Sequence, residues 1–323
     1  MLPKQIRRME LVFAFASLIF FFNSPLLQAQ DYPTKPILMV NPGGVGGSTD
    51  LTMRAVTSVA KEYLGQPIVV ETRPGGGGSI GTEFVARANP DGYTLLCGGP
   101  NWNSTLPAID NTSKGPDDLV AVCRINYTSG VLVARADAPF KTFKEMVEWA
   151  KANPGKLVFG HTGPWGGADV SWKIITEKTG IKSRVVPHEG GGPALIAILG
   201  GQIQVSGIAG TQGIAHIKSG KLRGLAIMAE KRDPDLPDVP TVLEEGINCA
   251  YPNWRGVLAP KGTLRPIVEK LAVAFKKMTE NETVIKMIKG FGDDIQYLGP
   301  DEFTKVWRQE YEAYKELAKT FKK

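Results

Sequence analysis

The sequence predicts an α/β fold of two similar halves, each a mainly parallel sheet with helices on both faces. Three observations carry this. Short apolar runs alternate with helical patterns from residue 36 to residue 228, glycine-rich turns separate the runs from the helices, and the pattern turns mainly helical only after residue 259. A β-α-β rhythm of this kind requires crossover helices and so a parallel sheet.

In order, residues 36–41 (PILMVN) read as a buried strand, 47–65 as a helix ended by Gly65, 67–71 as a strand, 79–88 as a helix and 94–97 as a strand. The middle repeats the rhythm. Residues 130–134 form a strand, and 142–153 a helix that opens with the capping pattern Thr142-x-x-Glu145 and stops before Pro154-Gly155. Strands follow at 157–160, 184–187, 203–208 and 222–228, with helices at 168–179 (closed by Gly180), 193–199 and 211–219. Residues 231–240 (KRDPDLPDVP) form an exposed connector. After a strand at 254–259 come helices at 264–278, 282–289 and 301–321. No repeat of 20–50 residues is evident. In an open α/β sheet the ligand sits beyond the carboxyl ends of the strands.

The first 29 residues read as a secretory signal peptide. Lys4, Arg7 and Arg8 are basic, residues 11–22 are apolar, and Leu27-Gln28-Ala29 supplies small-residue cleavage chemistry, with the cut after Ala29. The apolar run is much shorter than the roughly 20 residues that span a bilayer. An exported chain of residues 30–323 follows, large enough for one large or two medium domains. The formal charge of +6 contains no run of five basic residues. It therefore lacks the clustered stripe that a nucleic-acid partner needs. Cys97, Cys123 and Cys249 permit one disulfide, but Cys97 and Cys123 lie in apolar strand-like stretches and read as buried thiols. No CxxC pair occurs and the histidines are far apart, so no metal site is expected.

Four glycine-rich turns follow strands and precede helices: residues 43–50 (GGVGGSTD), 73–81 (RPGGGGSIG), 160–169 (GHTGPWGGAD) and 188–194 (HEGGGPA). Glycine lets the backbone approach a bound group, and a helix start offers free N–H donors with partial positive charge. Such turns suit a carboxylate or phosphate, although each also serves as a plain tight turn. The second turn, whose only hydroxyl is Ser79, reads as structural. Gly76-x-Gly78-x-x-Gly81 fits a dinucleotide fingerprint, but the expected acid about 20 residues on is Asn101. Gly46-Gly47-Ser48-Thr49 lacks the lysine of an ATP-binding loop. Gly77-Gly78-Ser79-Ile80-Gly81 matches the nucleophile turn of α/β-hydrolases, and the order Ser79, Asp169, then His188 or His216 makes a secreted serine hydrolase the enzymatic alternative. Against that reading, no oxyanion loop precedes Ser79, which also suits a helix N-cap.

Read together, seven stretches resemble the substrate-binding proteins of tripartite tricarboxylate transporters, the Bug or TctC family. They are YPTKPILMVNPGGVGGSTDLTMR, LGQPIVVETRPGGGGSIGTEFVARANPDGYTLL, WAKANPGKLVFG, VPHEGGGPALIAILGGQIQV, IKSGKLRGLAI, LPDVPTVLEEG and WRGVLAPKGT, in order over most of residues 32–323. The resemblance implies a two-lobed periplasmic fold with two crossover segments, lobe 1 being residues 31–131 plus 252–323 and lobe 2 residues 132–251. It implies a monomeric, non-catalytic receptor without cofactor that delivers a small organic carboxylate to permease subunits; a sensor for a signalling partner would use the same receptor. It also implies that two loops grip the carboxylate. Gly43, Gly44, Val45, Gly46, Ser48 and Thr49 come from one lobe, and His161, Thr162, Gly163, Trp165, Gly166, Gly167 and Asp169 from the other. Departures from the family pattern stand at Asn41-Pro42, His161, Trp165, Asp169 and His188-Glu189, and leave the fold untouched.

Other side chains bear on the rest of the ligand. Asn101 offers hydrogen bonds to its far end, as does Asn103. Trp102 and Trp165 are read evenly as ligand faces or packing, and Trp254 as core. Arg255 suits either a second carboxylate or a surface ion pair. Glu189 at a cleft would repel a second carboxylate. Asp50, opening a helix, braces its own loop.

Overall fold

The computed structural model describes residues 32–321, apart from 110, 162, 189–190, 230, 248, 250–251 and 292. The signal segment therefore lies outside the described residues. In chain order the elements are β1 (Ile37–Asn41), α1 (Ser48–Thr57), α2 (Ala60–Leu64), β2 (Ile68–Thr72), a 3₁₀ turn (Gly76–Gly78), α3 (Ser79–Ala86), β3 (Thr94–Gly98), a π-helical turn (Asn101–Thr105) and α4 (Leu106–Ile109). They continue with β4 (Leu119–Arg135), α5 (Phe143–Ala152), β5 (Leu157–His161), α6 (Gly167–Thr179), β6 (Ser183–Pro187), α7 (Gly191–Leu199), β7 (Val205–Ala209), α8 (Gly210–Lys218) and β8 (Leu222–Met228). β9 (Pro252–Pro260), α9 (Arg265–Thr279), α10 (Glu282–Gly290), β10 (Ile295–Leu298) and α11 (Pro300–Phe321) complete the chain. No described helix is long and apolar enough to cross a membrane.

Two sheets share β4. In the first lobe β1 pairs in parallel with β2 and β3, and β9 lies antiparallel between β3 and the first part of β4, whose other edge takes β10. In the second lobe the last residues of β4 lie between β8 and β7, and β5 pairs in parallel with β7 and β6. Every antiparallel pair thus involves β4 or β9, and the wings are parallel. Directions follow from this. β3 and β4 both oppose β9, so the carboxyl end of β3 points the way β4 runs, toward the second lobe. β7 opposes β4, so its carboxyl end points back toward the first. The carboxyl ends of both wings face each other across the junction.

Both faces of each sheet are covered, which is why the strands read as continuous apolar runs. Met39, Leu95 and Val257 enter one core with Met53, Leu271 and Phe275, while their neighbours Val40, Leu96 and Leu258 enter another with Val85, Phe303 and Trp307. In the second lobe Leu132 packs with Phe159 and Trp172, and Val131 packs with Ile208 and Ile198. The Phe159 and Trp172 rings stack 4.1 Å apart, and the Trp172 indole N–H donates to Ser183 at 2.9 Å.

Several expectations shift. The strand-like stretch around Cys123 and the strand expected at 130–134 are one 17-residue strand, because polar Asn126–Ser129 keep pairing with β9 as the chain passes between sheets. The helix expected over 47–65 breaks after Thr57 into α1 and α2, the second closed by Gly65 at φ 73°. Thr142 caps α5 by accepting from Glu145 N–H at 3.2 Å, but the Glu145 carboxylate reaches past the cap to Lys141 N–H at 2.6 Å. β10 has no counterpart in the sequence reading.

Cys97 and Cys123 both stand opposite Val257, on either side of β9. Two strand spacings, about 10 Å, separate them, beyond the roughly 7 Å that a disulfide tolerates. Both are fully buried free thiols, and burial pushes their pKa values well above the usual thiol range. Unfolded protein should titrate three thiols with and without prior reduction, and native protein should react slowly at Cys97 and Cys123. A loss of two thiols without reductant would contradict this geometry.

Candidate functional site

A cleft of about 510 Å³ lies where the facing strand ends meet. It is lined by Gly43–Thr49 after β1, Gly99–Trp102 after β3, Gly166 after β5, Gly191–Pro193 after β6, Gly207–Ala209 and Gln212 around the end of β7, and Asn253 and Trp254 on β9. These segments are the starts of α1, of the π-helical turn, and of α6, α7 and α8. Five helical starts therefore turn their free N–H groups and positive dipole ends toward one space, which favours an anion. No lysine or arginine is among the described lining residues.

Two of these starts are the same device built twice. Gly47 N–H donates to Gly44 C=O at 3.3 Å, and Gly166 N–H to Gly163 C=O at 3.2 Å. Gly47 and Gly166 cap α1 and α6 with matching backbones, φ −68° and ψ 161° against φ −66° and ψ 160°. Asp50 accepts from Gly46 N–H at 3.0 Å and Asp169 from Trp165 N–H at 2.9 Å. One helical turn on, Arg54 pairs with Asp50 at 3.0 Å and Lys173 pairs with Asp169. Burial raises the Asp50 pKa, but hydrogen bonds from Arg54, Gly46 and Asn41 outweigh it and the net shift is downward. Both carboxylates are spent on bracing their loops.

The corner residue of each turn is left-handed. In the first loop it is Gly46 at φ 75°, in the second Trp165 at φ 56°. A side chain there costs roughly 1–2 kcal/mol. The Trp165 ring packs against a cluster of Ile109, Val170, Tyr314 and Ala318, with the Lys173 ammonium 4.6 Å from its centre. That cluster joins α4 and α11 of the first lobe to α6 of the second.

Of the residues singled out in sequence, Gly43, Gly44, Val45, Gly46, Ser48, Thr49, Asn101, Trp102 and Gly166 line the cleft. His161, Gly163, Trp165, Gly167 and Asp169 are not among the lining residues. His161 is buried, its Nδ1 contacting Gly163 C=O at 2.8 Å, and burial lowers its pKa despite Asp169 nearby. Thr162 and Glu189 lie outside the described residues. Arg255 meets neither solvent nor cleft as a ligand group; it is 1% exposed and paired with Asp293. Trp254 is core, as expected, but also forms cleft wall. Asn101 begins a π-helical turn, not a loop.

The second glycine turn is structural for a specific reason. A Cβ on Gly78 would collide with the Trp102 indole, and one on Gly43 would meet its far edge at 3.1 Å. The turn seats the tryptophan that forms the cleft wall. Sequence reading singled out the turn that holds Gly192 but missed Gly207, Ala209 and Gln212. The rule that ligands sit beyond carboxyl strand ends already pointed to the ends of β6 and β7.

Ser79 opens α3 in the first lobe, while Asp169 is committed to Trp165 and Lys173 in the second, so no triad assembles around it. Among the described residues no cluster of His, Cys, Asp or Glu is placed to hold a metal ion. The sequence model of the tripartite tricarboxylate transporter family receptors matches residues 52–322. The chain belongs to this receptor family. It is similar to the periplasmic binding protein BugD, with 30% identity and a TM-score of 0.79 over 90% of this chain and 98% of that one. Two proteins of Rhodopseudomonas palustris superpose equally well. MatC, solved with bound malate, is 28% identical with a TM-score of 0.80, covering 89% of this chain and 100% of its own. Rpa4515, solved with adipate, is 25% identical with a TM-score of 0.80, covering 90% and 98%. A TctC solute binding protein from Polaromonas is also similar, 29% identical with a TM-score of 0.74 over 90% of this chain and 99% of its own.

Behind Trp254 lies a half-buried acid. The Trp254 indole N–H donates to both Glu310 oxygens, at 3.2 and 2.9 Å. Burial pushes the Glu310 pKa up to about 7, against opposing hydrogen bonds from Ser104 and Trp254. An acid whose pKa rises on folding binds its proton more tightly when folded. The contribution of Glu310 to stability should thus be greatest below the unfolded value of about 4.3 and decline as pH rises to about 7, so wild type and E310Q should diverge over that range. Trp254 fluorescence should titrate with a midpoint near 7, and E310Q should abolish both effects. A flat profile in the wild type would refute the assignment.

Proposed function

We propose that this receptor captures a small organic acid by its carboxylate in the cleft between the lobes and delivers it to the permease subunits of a tripartite tricarboxylate-type transporter. The observation that carries the reading is the convergence of five helical starts, from both lobes, on a space without cationic side chains among its described lining. Main-chain N–H groups and the Ser48 and Thr49 hydroxyls supply donors, and the Trp102 face and the amides of Asn101, Gln212 and Asn253 meet the rest of the solute. The malate and adipate held by MatC and Rpa4515 support a carboxylate of this size class.

In this reading the lobes are residues 31–131 plus 252–323 and residues 132–251, and they close about β4 and β9 by hinge motion. The paired loops around Gly44 and Gly163 act together, the first in contact with the solute and the second positioned by His161, Trp165 and Asp169. The chain is exported, cleaved after Ala29, and works as a periplasmic monomer.

A thermal-shift panel of mono- and dicarboxylates, malate and adipate included, tests the function. At least one acid should raise the melting temperature, and the corresponding amide should not. G44V is the cleanest perturbation, because a Cβ there meets nothing within 4 Å. It should leave the melting temperature of the empty protein near wild type while weakening binding at least tenfold. Gly163 is a poorer site, since its φ of 133° strains any side chain. No response to any acid would overturn the carboxylate reading.

A further inference from the structure

We propose that Arg255 is a positioning residue that fixes the Ser48 hydroxyl as a donor into the cleft and ties that donor to the hinge strands. The proposal rests on the carboxylate reading above. Arg255 sits on β9, and its guanidinium reaches Asp293 and Ser48 among the described residues. Nη1 donates to the Asp293 carboxylate at 3.2 Å, and Nη2 donates to Ser48 Oγ at 2.5 Å. Ser48 is the first residue of α1 and lines the cleft.

The direction of the second bond decides the chemistry. A guanidinium has only donors, so Ser48 Oγ must be the acceptor. A hydroxyl carries one hydrogen, and here it cannot point at Arg255. Ser48 Oγ has no other hydrogen-bond partner among the described residues, so its O–H is left to donate to whatever fills the cleft. The charge behind it polarises that O–H and strengthens it as a donor, as chained hydrogen bonds do. Positive charge thus reaches the solute through a neutral hydroxyl.

The rest of the network holds the guanidinium in place. Asp293 is 4% exposed and also accepts from Asn126 Nδ2, at 2.5 Å, and from Asp294 N–H, at 3.1 Å. Asn126 Oδ1 accepts from Arg255 N–H at 3.0 Å. Asn126 is on β4 and Arg255 on β9, opposite each other in the antiparallel ribbon along which β4 runs toward the second lobe. A buried ion pair adds little net stability relative to an apolar pair of the same size. Stability alone does not account for a buried pair whose third arm ends on a cleft hydroxyl.

A double-mutant cycle tests this. Affinities of full-length wild type, S48A, R255M and S48A/R255M are measured by calorimetry with malate, succinate, adipate and benzoate as probes. For any probe that binds wild type, S48A and R255M should each weaken binding about tenfold, and the double variant should lose no more than either alone. R255M/D293N, which removes both buried charges and leaves an amide for Asn126, should melt cooperatively and show the same loss. R255Q supplies the same cycle if the methionine variants do not fold. Additive losses, or a loss in S48A with none at Arg255, would overturn the positioning role and leave the carboxylate reading standing. If no probe binds wild type, the carboxylate reading fails and the proposal fails with it.

Discussion

The antiparallel pairing of β4 with β9 sets the geometry of everything else. β4 belongs to both sheets, and β9 accompanies it along the first of them up to the register Ser129–Pro252. Because each wing is antiparallel to one of these strands, the wings point their carboxyl ends at each other. Reversal of either pairing would turn one set of helix dipoles away from the junction and leave the cleft with donors from one lobe alone. Trp254 and Asn253, which line the cleft, stand opposite Tyr127 and Thr128 on that ribbon.

The site follows from the charge distribution of the peptide unit more than from side-chain chemistry. Each helix start carries about half a positive charge and stabilises a nearby anion by roughly 0.3–1 kcal/mol where exposed. Several such starts around one group act together, more strongly where water is excluded. The acids nearest the loops, Asp50 and Asp169, would oppose this if free. Each is buried and held by a backbone N–H and a cation one helical turn away, so their charge is spent locally.

Much of this was legible in the sequence, for reasons that differ by element. The parallel wings were readable because strands buried on both faces leave uninterrupted apolar runs such as Ile37–Val40. The first glycine loop was readable because it combines a strand end, glycines and hydroxyls. β4 was not, since Asn126–Ser129 interrupt the apolar pattern while the backbone continues to pair, and pairing has no local signature. The kinship of the two loops was hidden for a similar reason. The corner that is Gly46 in one is Trp165 in the other, so the shared element is a backbone conformation, not a residue. The burial of Arg255 depends on Asp293 and Asn126, distant in sequence, and only the folded chain brings the three together.

Trp165 bears on the balance between open and closed forms in the proposed hinge motion. Its cluster removes apolar surface from water at a seam between the lobes, a gain that does not depend on what occupies the cleft. For the proposed hinge motion, any contact of that kind shifts the resting balance toward closure for empty and loaded molecules alike, lowering the energy a solute must supply and narrowing the contrast between the two populations. Under the proposed function, a transporter sampling these receptors must then discriminate against vacant ones that already look full, so the depth of this seam trades sensitivity at low solute concentration against futile docking.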